Sequence, residues 1–204
     1  MLNLIKKDIF LQKKLFVLYA GLILFYIWSD FSPVLTITLT SSMFVLHSHY
    51  YDEKDRANVL LNALPYTRKE IISSKYIGAL TFTLMLIPTV IIGHFIIDGS
   101  FIQLSVKDIV LSLLSVMLFT AFYLPFFYKF TQQYLLIAFS AVFSMLVIIA
   151  PRAAEYIVNH FGEIIETITS FSSLQFYGLL SVVVLICYGL SWLLSVKIYQ
   201  RKAF

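Results

Sequence analysis

The chain has 204 residues, of which 60% are hydrophobic and 13% charged, and its mean hydropathy is +0.87. Soluble domains have an apolar share of about one half and a charged share of about one quarter, so the composition excludes a soluble domain and predicts a membrane protein. In a soluble protein the net charge of +4 would suggest that the protein binds nucleic acid. In a membrane protein it has to be interpreted from the side of the membrane on which the basic residues fall.

The first 14 residues alternate apolar and basic side chains, and they predict an amphipathic helix that lies in the lipid headgroup layer rather than crossing it. Its members are Leu2, Leu4, Ile5 and Ile9 with Lys6, Lys7, Lys13 and Lys14. Anionic lipid of the inner leaflet would attract these lysines. No cleavage site of small residues follows Trp28, so we expect the segment to be retained rather than removed as a signal peptide.

Two apolar segments follow and predict the first pair of transmembrane spans, at residues 15–29 and 34–51, with a tight turn at residues 30–33. The first is short for a span. The second carries the hydroxyl residues Thr36, Thr38, Thr40, Ser41 and Ser42. Small hydroxyl side chains allow close helix contact, so this span is a candidate for the bundle interior or for a dimer interface. The alternative is ordinary helix packing within one chain.

Four more apolar segments predict spans at residues 76–97, 108–128, 134–150 and 175–196. The third span contains Pro88 and the fourth contains Pro125, and each proline favours a kink. The chain is therefore predicted to be a single all-α integral membrane domain, residues 1–204, with six spans. The lone Cys187 lies in an apolar segment and cannot form a disulfide within the chain.

The long charged segment between the second and third spans, residues 52–76, interrupts this apolar pattern. It contains a short apolar run, residues 59–64, with charged residues on both sides, which predicts a short amphipathic helix. Pro65 ends that helix. Thr67 is a plausible N-cap of a second helix, because Glu70 stands three residues later in the capping-box position.

The sequence LPYTRKEI at residues 64–71, followed by SKY at residues 74–76, resembles the loop between the second and third spans of type-2 ABC exporter permeases. The resemblance implies that residues 57–64 form a cytoplasmic coupling helix that docks on a separate ATPase subunit. It also implies that Leu60, Leu61 and Leu64 pack into a groove of the ATPase. The charged residues Arg56, Arg68, Lys69 and Glu70 would steer this contact. The alternative is a solvated loop without a partner.

The basic residues fall mostly on one side of the six predicted spans. Thirteen lysines and arginines lie on the side of the two termini and the charged loop, and only Lys107 and Arg152 lie on the other side. Positive charge concentrates on the cytoplasmic side of membrane proteins. Both termini are therefore predicted to be cytoplasmic, and the resemblance places the chain in a bacterial plasma membrane.

Residues 151–173, between the fifth and sixth spans, show helical spacing of apolar side chains. Ile157, Phe161, Ile164 and Ile165 belong to this apolar face. In the resembled family, re-entrant helices at this position close the outer mouth of the path, which makes these four residues extracellular gate candidates. The alternative is a surface helix that only anchors the sixth span.

No catalytic constellation is recognisable in the sequence. It lacks a phosphate-binding loop of the Gly-x-x-x-x-Gly-Lys-Ser/Thr type, so ATP and Mg would be bound by a partner chain and not by this one. His47 and His49 stand two residues apart on a predicted helix, point to different faces and make a poor metal pair. The middles of the spans carry no acidic or basic residue, which argues against an ion-coupled carrier.

The sequence therefore predicts a transport subunit without enzymatic activity of its own. By resemblance it would be the permease of an ABC exporter, working with a second permease chain, identical or related, and with two ATPase subunits. Small members of that family, which the chain resembles, export amphipathic peptides of the phenol-soluble modulin kind or confer resistance to antimicrobial peptides. The alternative is a non-transporting immunity or scaffold protein that binds a peptide in the membrane. Nucleic acid is not an expected partner.

Overall fold

The computed structural model describes residues 2–54, 66–100, 102–130 and 173–201. Within these ranges every regular element is a helix, in agreement with the predicted all-α class. Three described helices are long and apolar enough to cross a membrane: Arg68–Asp98, Val106–Lys129 and Gln175–Arg201. A bent pair, Asn3–Leu11 and Lys13–Trp28, adds a fourth if it is one span. The predicted number of six spans stays a prediction.

The chain begins with α1 (Leu2–Leu11), a 3-10 turn (Lys13–Leu15) and α2 (Phe16–Trp28). The bend of 50° between the two helices falls where the predicted headgroup-layer segment meets the first span. One face of α1 does not face lipid, because Leu4, Ile5, Asp8 and Gln12 are buried in the protein. The prediction of a helix held by lipid alone omitted this contact.

The next helix, α3 (Pro33–Lys54), follows a tight turn in which Asp30 has a φ of +57°. Its hydroxyl residues Thr36, Thr40 and Ser41 are buried within this single chain. The same hydroxyl groups, together with His47 and His49, make α3 too polar to count as a span by composition, although its length suffices.

Helix α4 (Arg68–Asp98) has 31 residues and is thus about 46 Å long, against about 30 Å for the hydrocarbon core of a bilayer. The predicted third span, 76–97, lies inside it. The helix ends at Gly99, whose φ of +70° is the left-handed geometry of a glycine C-cap. Near this end α4 approaches α2 closely, since a Cβ on Gly93 would lie 2.8 Å from the Cδ1 atom of Ile27.

Helices α5 (Val106–Lys129) and α6 (Ser173–Arg201) contain the predicted fourth and sixth spans and pack against each other. Pro125 lacks the amide that would bond the carbonyl of Ala121 one turn earlier. The hydroxyl of Ser191 on α6 donates a hydrogen bond to that carbonyl instead. The predicted fifth span, 134–150, and the gate candidates Ile157, Phe161, Ile164 and Ile165 lie outside the described residues.

Two ends of this bundle are distinguished below. The near end contains α1, the last turns of α3, the first turns of α4 and the last turns of α6. The far end contains the turn after α2, the end of α4 and the start of α5. Helix α6 exposes a row of apolar side chains: Leu179, Val182, Leu185, Ile186, Leu190 and Leu193. Such an apolar surface is expected where a helix faces hydrocarbon instead of water.

Candidate functional site at the near end

The predicted coupling surface falls on both sides of a gap in the described residues. Arg56, Leu60, Leu61 and Leu64 lie in the gap, so their predicted contact with an ATPase stays a prediction. Arg68, Lys69 and Glu70 are described, and they form the first turn of α4. The segment 55–65 therefore joins the end of α3 to this turn.

The first turn of α4 has the predicted capping box. The amide of Glu70 donates to the hydroxyl of Thr67 at 3.2 Å, and the Thr67 amide donates back to the Glu70 carboxylate at 2.9 Å. The hydrogen bonds from the Thr67 amide and hydroxyl lower the pKa of Glu70, which precedes the predicted span 76–97. The carboxylate stays charged at neutral pH and fixes where α4 begins.

The basic residues of the same turn contact the end of α6. Arg68 donates hydrogen bonds to the carbonyls of Tyr199 and Gln200 at 3.1 and 2.9 Å. These carbonyls belong to the last turn of a helix, where no backbone amide is available to them. The Lys69 ammonium lies 5.1 Å from the centre of the Trp192 ring. The first turn of α4 is thus attached to α6, a structural role that the sequence did not predict.

Behind this turn lies a buried ionic cluster made of Lys7, Asp8, Asp52 and Lys75. The Lys7 ammonium lies 2.8 Å from Asp52 and 3.2 Å from Asp8. The Lys75 ammonium lies 2.8 Å from Asp8 and also pairs with Asp52. A hydrogen bond of 2.8 Å from Lys75 to Ser48 adds a fifth member. The cluster joins α1, α3 and α4 through residues that are far apart in the sequence.

Burial makes the charge balance of this cluster decisive. Asp52 and Lys75 have 2% and 7% of their surface exposed. Burial alone would raise the pKa of Asp52, but the neighbouring Lys75 and Lys7 outweigh it and lower this pKa to about 2. Because two lysines face two aspartates, the cluster is neutral as a whole. Removal of one member would leave a buried charge without its partner, which typically costs about 3–5 kcal/mol.

A second set of polar contacts extends this attachment along α4 and α6. The Tyr76 hydroxyl lies 2.8 Å from Ser191 and 2.9 Å from Ser195. Tyr188 donates to the backbone carbonyl of Tyr76 at 2.8 Å, and the Trp192 indole donates to Ser73 at 3.0 Å. Together with Arg68, these bonds fix α4 against α6 over several turns. These contacts, with those of the buried cluster, join α1, α3, α4 and α6 at the near end, which is called the near-end body below.

The two histidines of α3 take different environments. His47 lies 3.2 Å from the hydroxyl of Tyr19 on α2, whereas His49 points towards α5 and lies with its ring centre 4.3 Å from that of Phe127. The prediction that they face different directions is therefore confirmed. His49 is buried among the rings of Tyr123, Phe127 and Tyr128.

Sequence reasoning missed the ionic cluster, although one signal was present. Leu4, Asp8 and Gln12 follow one another at intervals of four residues and thus share one face of α1. A helix that lies on lipid keeps this face apolar. A carboxylate and an amide on this face therefore indicate that it contacts polar groups of the protein. In the structure Asp8 pairs with Lys75, and Gln12 donates to the carbonyl of Phe44.

Comparison with known proteins agrees with this architecture. Neither the curated proteins nor the solved structures gave a match. The model of a family described as ABC-2 family transporter protein matches residues 3–200, which is nearly the whole chain. Members of such a family are membrane subunits of ABC transporters, which work with an ATPase partner. The chain therefore belongs to the ABC-2 family of transporter proteins.

Proposed function

We propose that this permease is part of an ATP-driven exporter of amphipathic or hydrophobic peptides. In the proposed assembly, two permease chains, identical or related, span the plasma membrane six times each with both termini in the cytoplasm. Two ATPase subunits bind from the cytoplasmic side. Residues 57–64 form the coupling helix, and the turn with Arg68, Lys69 and Glu70 lies beside it. Export and the peptide substrate rest on the resemblance of residues 64–76 to exporter permeases.

One observation carries the coupling proposal. The segment 55–65 is attached at both ends to the near-end body: Asp52, shortly before it, is held by Lys7 and Lys75, and Arg68, shortly after it, is held by the end of α6. A force applied to this segment by an ATPase would therefore reach α1, α3, α4 and α6 together. Such rigid-body movement is a common way to convert a local contact into a change of the whole bundle.

The charge distribution supports an apolar or amphipathic cargo. Residues 76–97, 109–128 and 175–196 contain no Asp, Glu, Lys or Arg. Carriers of protons or small ions usually need an ionisable group at that depth. The buried cluster of Lys7, Asp8, Asp52 and Lys75 lies at the near end, and its charged side chains pair with each other. Energy for transport would then come from the ATPase partner.

The test is a double variant in the proposed coupling helix. Leu60→Asp with Leu61→Asp places two carboxylates on the face that would enter the ATPase groove. We expect loss of co-purification with the ATPase and loss of peptide efflux from membrane vesicles. The matched control is Val106→Asp, which changes an exposed residue in the first turn of α5 at the far end, and we expect it to behave as wild type.

Intact co-purification together with unchanged ATP turnover in the double variant would contradict the coupling assignment. The alternative, a non-transporting immunity or scaffold protein that binds a peptide, predicts something different. In that case no ATPase would co-purify with the wild-type chain, and the peptide would be retained in the membrane without ATP-dependent efflux.

A further inference from the structure

An open groove of about 830 Å³ runs between α5 and α6 in the described part of the chain. The hydroxyl of Ser191 donates a hydrogen bond to the carbonyl of Ala121, one turn before Pro125. This contact between α5 and α6 forms the floor of the groove. Its walls are apolar and exposed, and they are formed by Phe122 and Phe126 of α5 and by Leu190 and Leu194 of α6. None of the contacts at the near end uses these four side chains.

Three cations line the near-end mouth of the groove: Lys129 from α5, and Lys197 and Arg201 from α6. All three are exposed. No carboxylate of the described residues lies within ion-pair distance of any of them, in contrast to the lysines of the buried cluster. Lys197 and Arg201 are one helical turn apart, so they share one face of α6. The mouth thus complements a negatively charged group.

The length of the groove matches one leaflet of a bilayer. Cys187 lines the groove ten residues before Lys197, which places them about 15 Å apart along α6. Half of a hydrocarbon core of about 30 Å is also about 15 Å. A ligand whose charged part lies at Lys197 and Arg201 would therefore extend an apolar part along Leu194 and Leu190 to the middle of the membrane.

We propose that this groove binds an anionic phospholipid of the leaflet at the near end. The phosphate would lie among Lys129, Lys197 and Arg201, where arginine can donate two parallel hydrogen bonds to phosphate oxygens. One acyl chain would lie against Phe122, Phe126, Leu190 and Leu194. A soluble anion would use the mouth but not the walls, whereas a neutral lipid would use the walls but not the mouth. This proposal does not depend on the substrate of the transporter.

The test measures lipid retention on the purified full-length chain by native mass spectrometry. Phosphatidylglycerol and phosphatidylcholine with identical acyl chains are supplied in equal amounts. We expect the wild type to retain one phosphatidylglycerol in preference to phosphatidylcholine. Each cation near a membrane surface strengthens binding of anionic lipid roughly fivefold, so Lys197→Gln with Arg201→Gln should weaken retention by at least about tenfold.

The matched control is Lys13→Gln with Lys14→Gln, which removes the same charge from two exposed lysines at the same end but outside the groove. These two lysines are attracted to the anionic membrane surface as a whole and do not line the groove, so we expect this control to retain the one bound lipid. A second variant, Leu194→Trp, fills the apolar half and leaves all three cations in place. We expect it to release the lipid as well, and since Leu194 is exposed, the melting temperature in detergent should not change.

Four results would overturn the proposal. Equal retention of both lipids by the wild type would show that the groove does not select the phosphate. Equal loss of phosphatidylglycerol in Lys197→Gln with Arg201→Gln and in Lys13→Gln with Lys14→Gln would show the same. Binding of glycerol phosphate that is as strong as that of phosphatidylglycerol and insensitive to Leu194→Trp would show a site for soluble anions. Failure of Cys187 to react with a maleimide in lipid-free detergent would show that other protein covers the groove.

Discussion

The two ends of the bundle are held together by different kinds of contact. In the described residues of the near end, side-chain polar bonds join residues far apart in the sequence, such as Lys7 with Asp52 and Arg68 with Tyr199. In the described part of the far end, the side-chain polar bonds are local: His94 pairs with Asp98 one turn away, and Ser105 with Asp108. There the helices meet through apolar packing, as at Gly93 and Ile27.

This difference has a mechanical consequence. Buried ion pairs and hydrogen bonds have demanding geometry, and they break at a high cost when their helices move apart. Apolar contacts tolerate small sliding more easily, and in a membrane lipid replaces the lost neighbour. A permease built in this way is expected to move its near end as a unit and to separate its helices at the far end. The predictions below test this contrast.

The largest effect is expected for Lys75→Met. This change leaves Asp8 and Asp52 with only Lys7 as a partner, and Asp52 is nearly completely buried. We expect the free energy of unfolding to fall by about 3–5 kcal/mol, measured by thermal or denaturant unfolding of the full chain in detergent. Lys107→Met is the control, since Lys107 is an exposed lysine beside the start of α5.

The pairing itself is tested by a second change in the Lys75→Met background. Asp52→Asn removes one of the two carboxylates that have lost their lysine, so it should restore part of the stability. If the double variant is instead less stable than Lys75→Met by the full effect of Asp52→Asn alone, the two residues act independently. The near end would then not be held by their ion pair.

A smaller effect is expected at the far end for Gly93→Val. The new side chain would meet Ile27 and Ile23 of α2, at 2.8 and 3.3 Å from its Cβ. Overpacking of this kind typically costs about 1–3 kcal/mol. The same unfolding measurement on Gly189→Val is the control, because nothing lies within 4 Å of a Cβ at that exposed position of α6. Equal effects of the two changes would contradict the close contact between α2 and α4.

Local contacts and contacts between helices also differ in how well the sequence predicts them. The cap formed by Thr67 and Glu70 and the different directions of His47 and His49 follow from local spacing, and the structure shows both as predicted. The ionic cluster does not follow in this way, because it requires residues 7, 52 and 75 to meet in three dimensions. A single sequence contains the pattern of each helix but not the rotation of one helix against another. Only Asp8 and Gln12 on the buried face of α1 gave a sign of the contact.

A still smaller effect is expected for Arg68→Gln. Glutamine is shorter and lacks the charged guanidinium, whose Nη1 atom donates to the carbonyls of both Tyr199 and Gln200. Loss of these bonds on a half-exposed side chain should lower the free energy of unfolding of the permease alone by about 1 kcal/mol. Lys69→Gln should cost less, because it removes one cation–π contact of an exposed lysine. If Arg68→Gln instead leaves the isolated permease unchanged and weakens only ATPase binding, Arg68 serves the partner and not the attachment to α6.

The smallest effect is the pH dependence of the near end. The lowered pKa of Asp52, about 2, lies below the value of about 3.9 for aspartate in an unfolded chain. A carboxyl group of this kind contributes stability above the unfolded pKa, and the contribution is lost as the pH falls towards the folded pKa. Between pH 7 and 5.5 the group should cause no change, and by pH 3.5 it should have cost less than about 1 kcal/mol. Unfolding of Asp52→Asn over the same range isolates this contribution, since the variant lacks the titrating group. If the wild type and the variant lose stability in parallel below pH 4, Asp52 is not the residue through which acid loosens the near end, and the carboxylate of Asp8 becomes the next to test.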